Sequence, residues 1–195
     1  LAPDAPERAA IALAQAYDWN YGGGGSAPKF PQPQAIEFLL QRAAQNDSAS
    51  LEIAIHALKA MAQGGMYDVV GGGFARYSTD NSWLVPHFEK MLYDNAQLAL
   101  VYLYAYQLTA DDAFRRVCEE TLDFIIRELR HPQGGFYSSL DADSEGEEGK
   151  FYLWSLDQIK AVLSEHPPST SGVDAVQFFI DAYDIREAGN FEGKT

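Results

Sequence analysis

Gly71-Gly72-Gly73-Phe74-Ala75-Arg76-Tyr77-Ser78 is answered later in the chain by Gly134-Gly135-Phe136-Tyr137-Ser138. Each is a glycine break that runs into an aromatic residue and then Tyr-Ser. Glycine ends helices, but the shared order of residues after the break points to a repeat. Gly22-Gly23-Gly24-Gly25 and Gly189-Asn190-Phe191 extend the series. The four loops recur at intervals of roughly 50 to 60 residues, which leaves room for two helices between successive loops.

The intervening segments carry helical periodicity. Pro6 to Tyr17 reads as a short amphipathic helix with Ala9, Ile11, Leu13 and Ala16 apolar. Pro33 to Gln45 follows, apolar at Ile36, Leu39 and Leu40, and Ser48 reads as the N-cap of a third helix that Gly64-Gly65 ends. Pro86 to Thr109 reads as the longest helix, with proline at its start. Asp111 or Asp112 caps the next, which runs to Leu129 with Val117, Leu122, Ile125 and Ile126 inward. Ser155 to Glu165 and Gly172 to Tyr183 complete the set. Strand-like pieces are short: Phe74 to Ser78, then Phe136 to Leu140 and Phe151 to Trp154, the last two reading as a β-hairpin. The expected class is all-α with short β-hairpins. Roughly three helical hairpins amount to a partial α/α toroid of about six, so residues 1–195 read as a single domain, a fragment that ends within a repeat loop. Half of a toroid leaves apolar helix faces uncovered, which predicts self-association of the piece.

Composition narrows the partners. Fourteen basic residues stand against 28 acidic ones, a net charge of −14, which disfavours nucleic acid and anionic membrane surfaces. Hydrophobic residues at 47% supply a core and exclude disorder as the main state. Cys118 is the sole cysteine, so no internal disulfide is available. No run of about 20 apolar residues exists, and the N-terminus shows no signal-peptide pattern. A cytoplasmic location is the expectation.

The densest group of reactive side chains is Trp83-Leu84-Val85-Pro86-His87-Phe88-Glu89-Lys90-Met91-Leu92-Tyr93-Asp94-Asn95. On a helix, His87, Lys90, Tyr93, Asp94 and Gln97 share a polar arc of roughly 120°. One turn on, the arc turns apolar at Val101 and Tyr104. That fade predicts a buried helix whose N-terminal end opens into a polar cleft, where the helix dipole favours an anionic or hydroxyl-rich ligand. His87 suits a general acid or base, with Glu89 or Asp94 as its partner. An i,i+4 pair of Lys90 with Asp94 and a His87 that satisfies a loop carbonyl explain the same residues without function.

Asp141-Ala142-Asp143-Ser144-Glu145-Gly146 matches the start of an EF-hand loop, but Tyr152 stands where the bidentate glutamate belongs, so no metal is assigned. Asp141 and Asp143, nearest the aromatic strand, are candidates to point into a cleft. Phosphate-loop, Cys-x-x-Cys and His-Glu-x-x-His motifs are absent, and no cofactor is implied. His56, His131 and His166 are scattered and receive no role. Aromatic residues near the loops, Tyr77 and Trp83 among them, suit the apolar faces of sugar rings, although most must serve packing.

These glycine loops, the Trp83–Asn95 stretch and Leu140-Asp141-Ala142-Asp143-Ser144-Glu145-Gly146 resemble the thioredoxin-domain-containing, spermatogenesis-associated-protein-like family. The resemblance covers most of the chain. It implies an N-terminal thioredoxin-like domain, absent here, followed by a six-hairpin α/α toroid of which this chain is the first half. That toroid is similar in fold to N-acylglucosamine and cellobiose 2-epimerases and to six-hairpin glycosidases. The epimerases use paired histidines to move a proton beside a carbonyl; here only His87 sits in a suitable motif. Two functions are therefore carried forward. The first is a domain that binds or processes a carbohydrate or other polar small molecule. In it His87, Glu89 and Asp94 act catalytically, Lys90 is an electrostatic anchor, Tyr77 and Trp83 form the sugar platform, and Tyr93, Asp141 and Asp143 line the site. The second is a non-catalytic scaffold or partner-binding domain beside a thioredoxin-like domain.

Overall fold

The computed structural model describes residues 2–165 and 174–189. His166, Gly172 and the Asn190–Phe191 part of the fourth glycine loop lie outside the described residues. The chain divides into two compact units, residues 1–143 and 144–195.

The first unit is built from α1 (Ala5–Gln15), α2 (Pro33–Ala43), α3 (Ser48–Gln63), α4 (Leu92–Thr109) and α5 (Asp112–Phe124), the last continued by a π-helical turn, Ile125–Leu129. Helices α2 and α3 form one hairpin and α4 and α5 the next, and α2 packs on α4. The expected hairpin repeat is thus present. Helix α4 packs against α5 and α2, with a lighter contact to α3, and leaves Leu100, Leu103 and Leu108 exposed. Leu98, Val101, Tyr102 and Ala105 are fully enclosed, and the Tyr102 hydroxyl donates to Leu58 O at 2.7 Å. The central cluster adds Ile36, Leu40, Ile53, Leu58, Met61, Phe114 and Val117.

Several local expectations are corrected. Asp47, not Ser48, caps α3, its carboxylate accepting from Ser50 N at 3.1 Å. Leu122 and Ile126 are about half exposed; the inward stripe of α5 is Phe114, Val117, Cys118, Thr121 and Phe124. The helix expected from Pro86 starts only at Leu92. Before it, β1 (Tyr77–Ser78) pairs antiparallel with β2 (Pro86–His87). Then β3 (Lys90–Met91) pairs with β4 (Ser139–Leu140). Proline lacks an N–H and so suits an edge strand as well as a first helical turn. The expected pairing of Phe136–Leu140 with Phe151–Trp154 gives way to this β3–β4 ladder.

Two loops of the first unit are built alike. Asp18 N donates to Gly23 O at 2.9 Å and Gly22 N to Asp18 O at 2.8 Å; Asp68, Gly73 and Gly72 repeat the pattern at 3.0 and 2.8 Å. Each aspartate also caps its own loop, through Asn20 and Tyr21 in one and Val70 and Gly71 in the other. Each then receives a buried lysine. Lys29 Nζ lies 2.7 Å from Asp18 Oδ2, and Lys90 Nζ lies 2.8 Å from Asp68 Oδ2. A carbonyl supplies a second acceptor, Asn81 O for Lys29 and Gly72 O for Lys90. Gly23 and Gly73 sit at φ +83° and +80°, and a Cβ there would meet the Trp83 or Phe124 ring at 2.6 or 2.4 Å. Only glycine serves at both. The lysine backbones reach forward to the next loop, Lys29 bridging to Ser78 and Lys90 pairing with Leu140.

The second unit begins within β5 (Asp143–Ser144), which pairs with β6 (Glu147–Glu148). Glu145 and Gly146 have φ of +55° and +81° and close a two-residue primed turn. Helix α6 (Leu156–Glu165) opens with a capping box, Ser155 and Gln158 bonding reciprocally at 2.8 and 3.3 Å. Helix α7 (Ala175–Ala182) is capped by Asp174.

An enclosed ammonium without its carboxylate is costly. Asp68→Ala should therefore lower unfolding free energy by about 3 kcal/mol or more, measured by urea denaturation. Asp4→Ala, which breaks an exposed pair with Arg8, should change it by about 0.5 kcal/mol or less. Equal effects would contradict a structural role for the Lys90 pair.

Candidate functional site

The β1–β2 register sets Tyr77 opposite His87. Side chains directly opposite on antiparallel strands share a face, and the two rings stack at 4.9 Å between centroids with 17° between planes. Phe30 continues the aromatic row 4.9 Å beyond Tyr77. One residue before Tyr77, Arg76 turns the other way. Its Nη1 donates to Glu89 Oε2 at 2.8 Å, and its backbone N–H donates to Glu89 O, also at 2.8 Å. The same Glu89 oxygen lies 3.8 Å from His87 Nε2.

Asp94 enters from the first turn of α4 and is 8% exposed. Burial pushes its carboxyl up to about 6. Arg76 and a hydrogen bond from Tyr93 pull it down, while the Glu89 charge raises it. Asp94 Oδ2 and Arg76 Nε are both buried and have no hydrogen-bond partner. The cluster thus holds a carboxyl raised to about 6 by burial, an imidazole beside a carboxylate, and a buried unmatched donor and acceptor. The unmatched donor and acceptor are closed off from solvent, so His87 and Glu89, each about a quarter exposed, are the groups that can exchange a proton with a ligand.

His87, Glu89, Asp94, Tyr77 and Tyr93 are therefore brought together. The other expected site residues are elsewhere. Lys90 is 3% exposed, held by Asp68 and Gly72 O and packed over the Phe124 ring at 4.6 Å. Burial lowers its pKa and Asp68 opposes this. The polar arc dissolves because residues 86–91 are extended, so Lys90 points into the loop instead of beside His87. Trp83 is 1% exposed; its Nε1 donates to Gly22 O at 3.1 Å and its ring closes on Gly23, so it presents no face to a sugar. Asp141 and Asp143 are exposed, and Asp141 Oδ1 caps the Asp143 N–H at 3.0 Å in a turn of their own.

Sequence reasoning gave Arg76 no role, because its partner Glu89 lies across a loop and is met only through backbone pairing. It also passed over Asp18, Lys29 and Asp68, which the two Tyr-Asp pairs, Tyr17-Asp18 and Tyr67-Asp68, make visible before each glycine run. The third glycine loop carries a histidine at the position of the loop aspartate, a place different from that of His87. Arg130 bridges to Phe136 as Tyr67 does to Phe74. His131 then stands where the loop aspartate stood, its N–H donating to Gly135 O at 3.0 Å and its Nδ1 accepting from Gln133 N at 3.1 Å.

Solved structures carry the same fold. Cellobiose 2-epimerase from Bacillus thermoamylovorans superposes with a TM-score of 0.60 at 12% identity, over 89% of this chain and 52% of that one. Cellobiose 2-epimerase from Spirochaeta thermophila gives 0.58 at 16% identity, over 86% and 52%. The architecture is a partial α/α toroid of repeated helical hairpins. By sequence, 91% of the chain is similar to spermatogenesis-associated protein 20 of Rattus norvegicus at 44% identity, and the match covers 24% of that protein. The chain spans about a quarter of the length of the curated relatives it matches. No family model matches it. Among the described residues, no helix is long and apolar enough to cross a membrane.

Asp94 holds its proton more tightly in the folded chain than in the unfolded one. It therefore favours folding when protonated, and that contribution falls as pH rises from about 4 through about 6. The fall amounts to about 2–3 kcal/mol. Asp94→Asn should remove this slope, matching the wild type at pH 4 and exceeding its stability at pH 8. Urea titrations across that range check it, and a variant no more stable at pH 8 would show that Asp94 ionises without penalty.

Proposed function

We propose that the chain is the first half of a six-hairpin toroid within a longer protein of the spermatogenesis-associated-protein-like family. Its loop cluster binds and processes a carbohydrate or similar polyol. The observation that carries this reading is the half-buried group of Arg76, His87, Glu89 and Asp94 beside the Tyr77 ring. The partly exposed His87 and Glu89 side chains suit a hydroxyl or carbonyl oxygen of a sugar, and the aromatic row of Tyr77 and Phe30 suits the ring's C–H face. In an isomerase-type reaction His87 would take a proton from the carbon beside a carbonyl, with Glu89 supporting the imidazolium. Asp94, whose carboxyl burial pushes up to about 6, would in its protonated form donate to the carbonyl oxygen as electrons move onto it. The likeness to cellobiose 2-epimerases supports the substrate class by fold alone.

The scaffold reading predicts no sugar effect, which makes the two separable. The reducing disaccharide cellobiose should raise the thermal midpoint of the whole protein, and ligand at 100 times Kd stabilises by about 2.7 kcal/mol. His87→Ala should cut the turnover detected by roughly 10²-fold or more with the midpoint nearly unchanged. A large fall in stability with turnover intact would make His87 a packing residue, and no response to any reducing sugar would favour the scaffold.

A further inference from the structure

Gln34 stands in the first turn of α2 and Gln97 in the second turn of α4, on two helices that pack together. Their side chains meet, Gln34 Nε2 donating to Gln97 Oε1. Gln97 Nε2 donates in turn to Tyr93 O at 2.9 Å, one turn earlier on α4, so the Gln97 amide is held at both ends. The Tyr93 hydroxyl reaches Asp94 and Arg76, and Arg76 holds Glu89 at 2.8 Å. One polar strip therefore runs from His87 and Glu89, over Tyr93, to the seam between α2 and α4. Solvent reaches it along that path, because Gln34 and Tyr93 are exposed and Gln97 is half-buried. The strip ends there, since the next large exposed side chain on α4 is Leu100. Each glutamine amide has two N–H donors and an oxygen with two acceptor sites. The bonds named leave over one N–H on each side chain and Gln34 Oε1. Gln41, two turns along the same face of α2, instead bonds Glu37 of its own helix at 3.2 Å.

We propose that Gln34 and Gln97 bind hydroxyl groups of the ligand, as an extension of the site that holds His87 and Glu89. The inference rests on the carbohydrate reading and deepens it: the ligand is an uncharged polyol whose hydroxyls beyond the reacting carbon lie along the α2–α4 seam. Amides give and take hydrogen bonds without charge, which matches a hydroxyl rim. Glu89 at the other end of the strip, in a chain of net charge −14, repels a phosphate or carboxylate. An amide does not titrate near neutrality, so the two glutamines set affinity and orientation and take no part in proton transfer.

Titration calorimetry of the whole protein with cellobiose tests it. Gln34→Ala and Gln97→Ala should each raise Kd about 5-fold, as for the loss of one net hydrogen bond. Gln41→Ala, on the same face of α2, should leave Kd unchanged. Without sugar, the thermal midpoints of all three should stay near that of the wild type, because surface substitutions cost little. If Gln97→Ala fails to fold, Gln34→Ala, at an exposed position, carries the test. An unchanged Kd in the Gln34 and Gln97 variants, or an equal loss in Gln41→Ala, would overturn the subsite and leave the carbohydrate reading standing. Absence of cellobiose binding by the wild type would overturn both.

Discussion

The first unit depends on lysine ammonium groups held inside it. Lys29 is fully enclosed and Lys90 nearly so. An ammonium removed from water is costly unless a carboxylate and further acceptors replace the lost hydration. Asp18 and Asp68 supply that replacement, and each is fixed by its own loop amides. The Lys29 ammonium, followed by those amides and Asn81, outweighs burial and holds the Asp18 carboxyl down at about 2. For Asp68, burial acts upward, but Lys90 and the Gly71 amide prevail and its pKa is lowered. Each lysine gathers a glycine turn, an aspartate and a strand of the following loop around one charge.

The polar cluster follows from that arrangement. Lys90 points inward, so its extended neighbours, His87 through Met91, are pinned between the second and third loops. Strand alternation then sends Lys90 and Glu89 to opposite sides. With the β1–β2 register, Arg76, Glu89 and His87 come to one place, and Asn95 fastens α4 to the loop by accepting from Phe74 N at 2.7 Å. Asp94, one residue earlier, is thereby placed under Arg76. Its raised pKa is the electrostatic result of this enclosure.

Much of the fold was legible because its signals are local. Glycine breaks, proline at the start of α2, and the 3.6-residue stripes of α2, α3 and α5 give hairpins directly. The start of α4 was misread because a proline and a periodic polar arc look the same whether residues 86–91 are helical or paired with residues distant in the chain. Tyr77↔His87 and Lys90↔Leu140 are cross-strand registers, and local periodicity carries no trace of them. That error put Lys90 beside Asp94 when it belongs to Asp68. It also offered Trp83 as a surface platform, although the ring is needed to cover Gly23. His87, Glu89 and Asp94 were found because they are close in sequence; Arg76 was missed because its partnership with them runs through a strand pair.

The central claim is that Asp94, Glu89, His87 and Arg76 form one electrostatic unit that a polar ligand would reach at the partly exposed His87 and Glu89. Carbon-detected NMR titration of the aspartate carboxyl carbons, with and without cellobiose, measures it most directly. Asp94 should titrate at about 6 in the free chain and move when the disaccharide is added or Arg76 is replaced by Gln. An ordinary carboxylate midpoint for Asp94, indifferent to both, would contradict the account.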